Sequence, residues 1–223
     1  MEAGKLKIEL VTSEDGSHTL RIPELKEHYH SHKGALRECE HVFIQMGLES
    51  LSLKAEISLL EVGFGTGLNA LVTFFRRAER VINYTAIEPV PLKLEIIEQL
   101  NYASLLQEKT AADVFQKLHR ASWNEWVEIT SGFHLEKREE KLEDFQPIRE
   151  YDLIYYDAFA PHAQSELWEV SIWRQLYGIM KSGGVLVTYC AKGQVRRDMQ
   201  EAGFMVERLP GPPGKREMLR ATK

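Results

Sequence analysis

The sequence predicts a doubly wound α/β fold with a mostly parallel seven-stranded sheet, an antiparallel last strand and a small N-terminal extension. Three observations carry this. From residue 57 onward, short apolar runs alternate with stretches of helical periodicity, the pattern of βαβ units. The first apolar run ends in a glycine-rich turn that opens a helix. The last two strand-like runs are joined by Pro210-Gly-Pro-Pro-Gly214, too short for a crossover helix, so that pair is antiparallel.

The elements follow in order. Residues 5–22 read as a hairpin, with Ile8, Leu10, Leu20 and Ile22 around a turn at Glu14-Asp15-Gly16. Residues 24–50 read as mostly helical and rich in histidine. Ile57 to Val62 is a buried strand ending at Gly63. Leu68, Leu71, Val72 and Phe75 recur at helical spacing. Asn83 to Ile87 is a second strand. Pro91 is placed to open a helix carrying Leu92, Ile96 and Leu100. Residues 110–120 form a helix, Trp126 to Lys137 an extended run, and Tyr151 to Tyr156 a core strand. Leu167 to Met180 is helical and is stopped at Gly183-Gly184. Val185 to Cys190 is a strand, Gln194 to Ala202 a helix, and Phe204 to Leu209 and Glu217 to Ala221 the closing strands. Two units are expected: an N-terminal hairpin and helical extension over 1–50, and the α/β domain over 51–223.

The 223 residues are 43% hydrophobic and 27% charged, enough apolar surface for a core. No run approaches the ~18 apolar residues of a membrane span, and Met1 to Leu10 lacks a signal-peptide core. Cys39 and Cys190 form no disulfide framework, so a cytoplasmic protein without membrane partners is expected. The net charge of −5 argues against indiscriminate binding to DNA or RNA. That charge is unevenly spread. Lys192 to Lys223 holds eight basic residues against four acidic, or +4, while the remainder carries −9.

The turn Glu61-Val62-Gly63-Phe64-Gly65-Thr66-Gly67-Leu68-Asn69 sits where open α/β sheets bind ligands. A dinucleotide fingerprint needs glycine at position 68, where this chain has leucine. The spacing G-x-G-x-G after an acid is instead that of S-adenosylmethionine (SAM) methyltransferases. Glu61, Gly63, Gly65, Gly67 and Asn69 are therefore candidate cofactor residues. Glu88, at the end of the next strand, is placed to accept ribose hydroxyl bonds. Asp157 ends a later core strand and is followed by Phe159 and Pro161. An acid and an aromatic at that place suit an amine carried on a planar base. Alternation sends Tyr155 and Tyr156 to opposite faces, so at most one of them points at the site.

Several segments resemble the methyltransferase half of the bacterial bifunctional tRNA 5-methylaminomethyl-2-thiouridine biosynthesis proteins. They are Gly63-Phe-Gly-Thr-Gly-Leu-Asn69, Asp157-Ala-Phe-Ala-Pro161 with Leu167-Trp168, Gly183-Gly184, Val195-Arg-Arg197 with Gln200-Glu-Ala-Gly-Phe204, and Gly214-Lys-Arg-Glu-Met-Leu219. They run in family order over roughly residues 28–220, and the last two are the most specific. The resemblance implies a Rossmann-like class I SAM-dependent methyltransferase. Its reaction would convert 5-aminomethyl-2-thiouridine to 5-methylaminomethyl-2-thiouridine at the tRNA wobble position, without metal. It implies Asp157 as the catalytic acid, also beside the cofactor, and Glu88 as a cofactor ligand. Two departures are visible. No oxidase domain follows, so upstream enzymes are expected to supply the amine. The Gly-Asp that reaches adenine in the family is replaced by Lys137-Arg-Glu-Glu-Lys141, where Glu140 is the candidate adenine contact.

For the substrate, Arg196, Arg197, Lys215 and Arg216 are candidate contacts to the phosphates of the anticodon stem-loop. Tyr29 and His30, within His28-Tyr29-His30-Ser31-His32, are candidates to stack on or bond the target base; no acid or cysteine cluster completes a metal site there. Trp123, Trp126, Trp168 and Trp173 read as core. The alternative reading is a SAM-dependent enzyme acting on a small-molecule amine or polyamine.

Overall fold

The computed structural model describes residues 7–51 and 53–223. The first two residues of the predicted hairpin segment lie outside that range. Within it the chain runs β1 (Glu9–Thr12), β2 (His18–Ile22), β3 (Glu27–His28), α1 (Ala35–Cys39), β4 (Glu56–Val62), α2 (Leu68–Arg76), β5 (Val81–Ile87), α3 (Leu94–Ile97), α4 (Tyr102–Leu106), α5 (Ala111–Arg120), β6 (Trp126–Thr130), β7 (Phe133–Arg138), β8 (Tyr151–Tyr156), α6 (Val170–Ile179), β9 (Met180–Thr188), α7 (Gly193–Glu201), β10 (Met205–Pro210) and β11 (Glu217–Thr222). A π-helical turn, Glu40–Gln45, continues α1.

The large sheet has the order β10-β11-β9-β8-β4-β5-β7-β6. β9, β8, β4, β5 and β7 are mutually parallel, while β11 runs antiparallel to both β9 and β10. The sheet has eight strands, one more than expected. The run read as one extended segment over 126–137 folds back at Ser131-Gly132, and β6 pairs antiparallel with β7. Gly132 adopts φ +76°, which that turn requires.

Three further expectations are corrected. Residues 24–34 are not helical: β3 adds a two-residue edge to the β1–β2 hairpin, and helix begins only at Ala35. Pro91 and Leu92 precede α3 rather than opening it. Gly183-Gly184 does not stop α6. The helix ends at Ile179 and passes straight into β9, where the glycines form an irregular stretch opposite Asp152. Gly184 is needed there because a Cβ would stand 2.8 Å from the Lys181 carbonyl oxygen.

Each face of the sheet packs its own core. One gathers Phe43, Ile57, Leu71, Tyr84, Leu135 and Tyr155; the other gathers Leu60, Tyr156, Trp168, Trp173, Leu176 and Leu219. Tyr155 and Tyr156 are both fully buried, one in each core. The N-terminal extension belongs to the first core through Leu20, Ala35, Val42 and Ile44. Its Tyr29 and His30 reach Gly65 and Thr66 in the turn that follows β4, and the candidate site is built there. Among the described residues no helix is long and apolar enough to cross a membrane, and both cysteines are free and buried.

Candidate active site

The glycine turn between β4 and α2 is held by the backbone. The Gly63 and Phe64 N–H groups both donate to the Ile87 carbonyl, at 2.9 and 3.2 Å. Gly63, Gly65 and Gly67 take φ of +93°, +48° and +70°, a region that side chains disfavour. A Cβ on Gly63 would meet the Asp157 carbonyl oxygen at 2.8 Å, so this turn and the end of β8 are in close apposition.

Three polar side chains meet under the turn. Asn69 Nδ2 donates to Glu61 Oε1 and to Asp157 Oδ2, each at 2.9 Å. Glu61 is 0% exposed, and its other oxygen accepts from the Tyr84 hydroxyl at 2.9 Å. Burial, with the charge of Asp157 second, raises the Glu61 carboxyl well above the usual range. Both of its oxygens are bonded to protein, so Glu61 braces Asn69 rather than opening onto the cleft. Burial also pushes Asp157 up to about 7, Glu38 adds to the effect, and the Asn69 bond and Lys215 oppose it.

Glu88 follows β5. Its Oε2 accepts from Gly65 N–H and its Oε1 from Val90 N–H, both at 3.0 Å. Burial pushes its carboxyl up to about 7 against those two bonds. Tyr29 meets the ring of Phe159 edge-on, with centroids 5.1 Å apart, and lies against Gly65. Burial, with Glu88 second, raises the Tyr29 hydroxyl. His30 spans the hairpin and the turn: its Nδ1 is 3.4 Å from Thr19 Oγ1 and its Nε2 3.3 Å from Thr66 Oγ1. Burial holds that imidazole down to about 4. Glu61, the three glycines, Asn69, Glu88, Asp157, Tyr29, His30 and Phe159 thus converge on one end of the sheet.

Other expected residues lie elsewhere or face inward. Glu140 does not line the cleft; its Oε1 accepts from Arg138 Nε at 2.7 Å, and Arg138 also pairs with Glu136. Lys215 is no free surface cation, because its Nζ donates to Glu38 Oε1 at 2.6 Å. Arg197 and Arg216 are exposed, while Arg196 is half-buried.

A cleft of about 370 Å³ opens beside the turn, lined by Phe64, Gly65, Leu92, Leu94, His119, Trp123 and Lys137. The sequence had not marked His119 or Lys137, and Trp123 had read as core. Lys137 is buried, donates to the His119 carbonyl at 2.8 Å and lies 4.6 Å from the Trp123 ring centroid. Burial pulls its ammonium down to about 8. Alternation along 133–138 was the available signal, since a lysine on the inward side of a strand is unusual. A second cavity of similar volume lies past Asp157, among Pro161, Tyr189, Lys192, Lys215 and Arg216.

The site fits SAM on its own chemistry. The glycines leave room for close approach, Glu88 offers carboxylate oxygens at a strand end, and the cleft has the size of a small-molecule site. Asn69 Oδ1 is buried with no hydrogen-bond partner among the described residues, an acceptor open to a donor such as an α-ammonium. Comparison with known proteins agrees. A family model described as S-adenosyl-L-methionine-dependent methyltransferase matches residues 105–223. The tRNA 5-methylaminomethyl-2-thiouridine biosynthesis bifunctional protein MnmC of Cupriavidus metallidurans is 32% identical over 94% of this chain. The protein of the same name from Burkholderia thailandensis is 30% identical over 94%. The chain spans about a third of the length of these relatives. The crystal structure of MnmC2 from Aquifex aeolicus superposes with a TM-score of 0.80 at 22% identity, covering 98% of this chain and 71% of that one. Spermidine synthase from Thermotoga maritima shares the fold with a TM-score of 0.57 at 13% identity, over 98% of this chain and 69% of that one. The glycine turn, the strand-end acids and the matched family model together place this chain in the S-adenosyl-L-methionine-dependent methyltransferase family.

Proposed function

We propose that this protein methylates the aminomethyl nitrogen of 5-aminomethyl-2-thiouridine at the tRNA wobble position, giving 5-methylaminomethyl-2-thiouridine. The supporting observation is Asp157: its carboxylate is bonded to Asn69 below the glycine turn, and Phe159, two residues on, pairs with Tyr29, so an acid and an aromatic pair are available to an amine on a planar base. Similarity to the MnmC proteins over 94% of the chain supports the choice of substrate.

Asn69, Glu88 and the three glycines would hold the cofactor, which supplies an electrophilic methyl group on a sulfonium when bound. The protein's task is to present a nitrogen lone pair. An alkylammonium has a pKa near ~10.4, so the amine arrives protonated. A carboxyl at an ordinary ~3.9 is a poor acceptor for that proton. Asp157, raised to about 7, narrows the mismatch without closing it. One proton must leave the ammonium, to Asp157 or through it to solvent, before the lone pair is free. The larger contribution of Asp157 is then orientation, since it accepts an N–H bond and aims that lone pair. Tyr29 and Phe159 flank the base, and Arg197 and Arg216 contact phosphates. Enzymes upstream form the aminomethyl group.

The test is transfer from labelled SAM to tRNA carrying 5-aminomethyl-2-thiouridine, followed by nucleoside analysis. Label in 5-methylaminomethyl-2-thiouridine is expected. SAM binding without label in tRNA, but with label in a polyamine, would replace this reading with a small-amine enzyme.

A further inference from the structure

We propose that Glu38 and Lys215 are positioning residues for Asp157: an ion pair that locks the C-terminal hairpin onto the N-terminal extension and sets the electrostatic field at the amine pocket. The proposal rests on the reading of Asp157 above.

The geometry runs through four elements. Lys215, in the loop between β10 and β11, donates to Glu38 Oε1 at 2.6 Å; Glu38 belongs to α1, 177 residues away in sequence. The second oxygen of Glu38 accepts from Ser31 N–H at 2.9 Å. The Lys215 ammonium also lies 3.9 Å from the centroid of the Tyr189 ring, and the Tyr189 hydroxyl donates to the Ala158 carbonyl at 2.8 Å. Ala158 is the residue after Asp157. Thus the pair is tied to the backbone that carries the acid.

The Glu38 side chain is only 9% exposed, so its charge is weakly screened. The Lys215 side chain is 33% exposed, so the pair is only partly buried, and such a pair contributes little stability by itself. A role in the field at the site accounts for it better. Other titratable groups bear on Asp157: Cys39 on α1, Glu61 on β4 and Tyr189 after β9 each respond to its charge. Of the groups around it, Lys215 is a cation that favours the ionised acid, and Glu38 is an anion that opposes it. The two therefore act on Asp157 with opposite signs, so removing each in turn should move the acid in opposite directions.

The experiment is a titration of Asp157 by side-chain carboxyl NMR in the intact protein, comparing Lys215→Met, Glu38→Gln and Lys215→Arg. Lys215→Met should raise the Asp157 midpoint by about 1 pH unit and Glu38→Gln should lower it. Lys215→Arg keeps the cation and should leave the midpoint near that of the parent protein. The acid limb of kcat/KM for methyl transfer should follow the same order. Unchanged midpoints, or shifts of one sign in both variants, overturn the proposal. The titration needs no substrate, so a wrong substrate would show separately, as moved midpoints without transfer to tRNA by the parent protein.

Discussion

The glycine turn and the basic C-terminal hairpin are built differently. At the turn, Glu61 is buried, Glu88 and Asp157 are half-buried, and every carboxylate is bonded: Glu61 and Asp157 to Asn69, Glu88 to two backbone N–H groups. At the hairpin, several of the basic side chains counted in the +4 are tied into local contacts, although among the described residues only Lys215 pairs with an acid outside that segment. Lys215 pairs with Glu38, Arg208 with Glu217, Arg220 with Glu207, and Lys223 donates to the Met180 carbonyl. Arg197 and Arg216 remain exposed and without an ion-pair partner among the described residues. Net charge of a segment is thus a weak guide to free charge, whereas a strand-end carboxylate near a glycine turn is a strong guide to a site.

The sharpest way to break this comparison is Asp157→Asn. The amide keeps the shape but is not an anionic acceptor, so kcat should fall about 10²–10⁴-fold. SAM affinity, measured by calorimetry, should change far less, because Glu88 and the glycines are untouched. Equal losses in both would make Asp157 a cofactor residue instead. Next in size is Gly63→Ala. Its methyl would meet the Asp157 carbonyl at 2.8 Å, at a φ of +93°. The cost should be about 1–3 kcal/mol, or several degrees in Tm, with weakened SAM binding. Gly16→Ala is the control: φ is +84° but nothing lies within 4 Å of the new methyl. It should cost about 1 kcal/mol and leave SAM binding alone.

The same contrast explains what could be read in advance. β4, β5 and β8 announce themselves as apolar runs, and their carboxyl ends locate Gly63, Glu88 and Asp157 by topology alone. Local signals with two meanings misled. Glycines after an apolar helix look the same whether they cap it or, like Gly183 and Gly184, deform the strand that follows. A two-residue strand such as β3 is too short to show any period. Glu38, His119, Lys137 and Tyr189 reach the site from elements far apart in sequence. Their roles come from tertiary contacts, as with Lys215 and Glu38, and no spacing rule encodes those.

Acid stability separates the buried groups by sign. Burial holds His30 down to about 4 and, with the Lys137 charge second, His119 down to about 3. Their unfolded values lie near ~6.5, so the unfolded chain takes up protons that the folded protein refuses. Their contribution is complete above pH ~6.5 and is lost as the pH falls toward those values. Glu88 and Asp157, raised to about 7, act in reverse. The folded protein keeps their protons where the unfolded chain releases them, so stability is gained as pH falls through about 7. The two pairs offset each other between pH 6.5 and 4.5. A Glu88→Gln/Asp157→Asn variant should therefore lose more Tm between pH 7 and 5 than the parent protein, by thermal melts. Parallel melting curves would mean that Glu88 and Asp157 are not held protonated near pH 7 in the folded protein.

Charge reversal at the hairpin and α7 should give the smallest effect. Arg197→Glu and Arg216→Glu alter exposed side chains, and Arg197 bonds only to Gln194 within its own helix. Neither touches the carboxylate network, so kcat and SAM affinity should hold. Each phosphate contact removed should raise the tRNA KM by about two- to tenfold and flatten its salt dependence by roughly one unit of slope. Lys215→Glu would not be an equivalent third reversal. It would set a second carboxylate against Glu38 beside Asp157, so its effect belongs on kcat and its pH profile rather than on KM. A Lys215 reversal that moved KM alone, like the arginines, would return that lysine to the tRNA face and remove it from the active site.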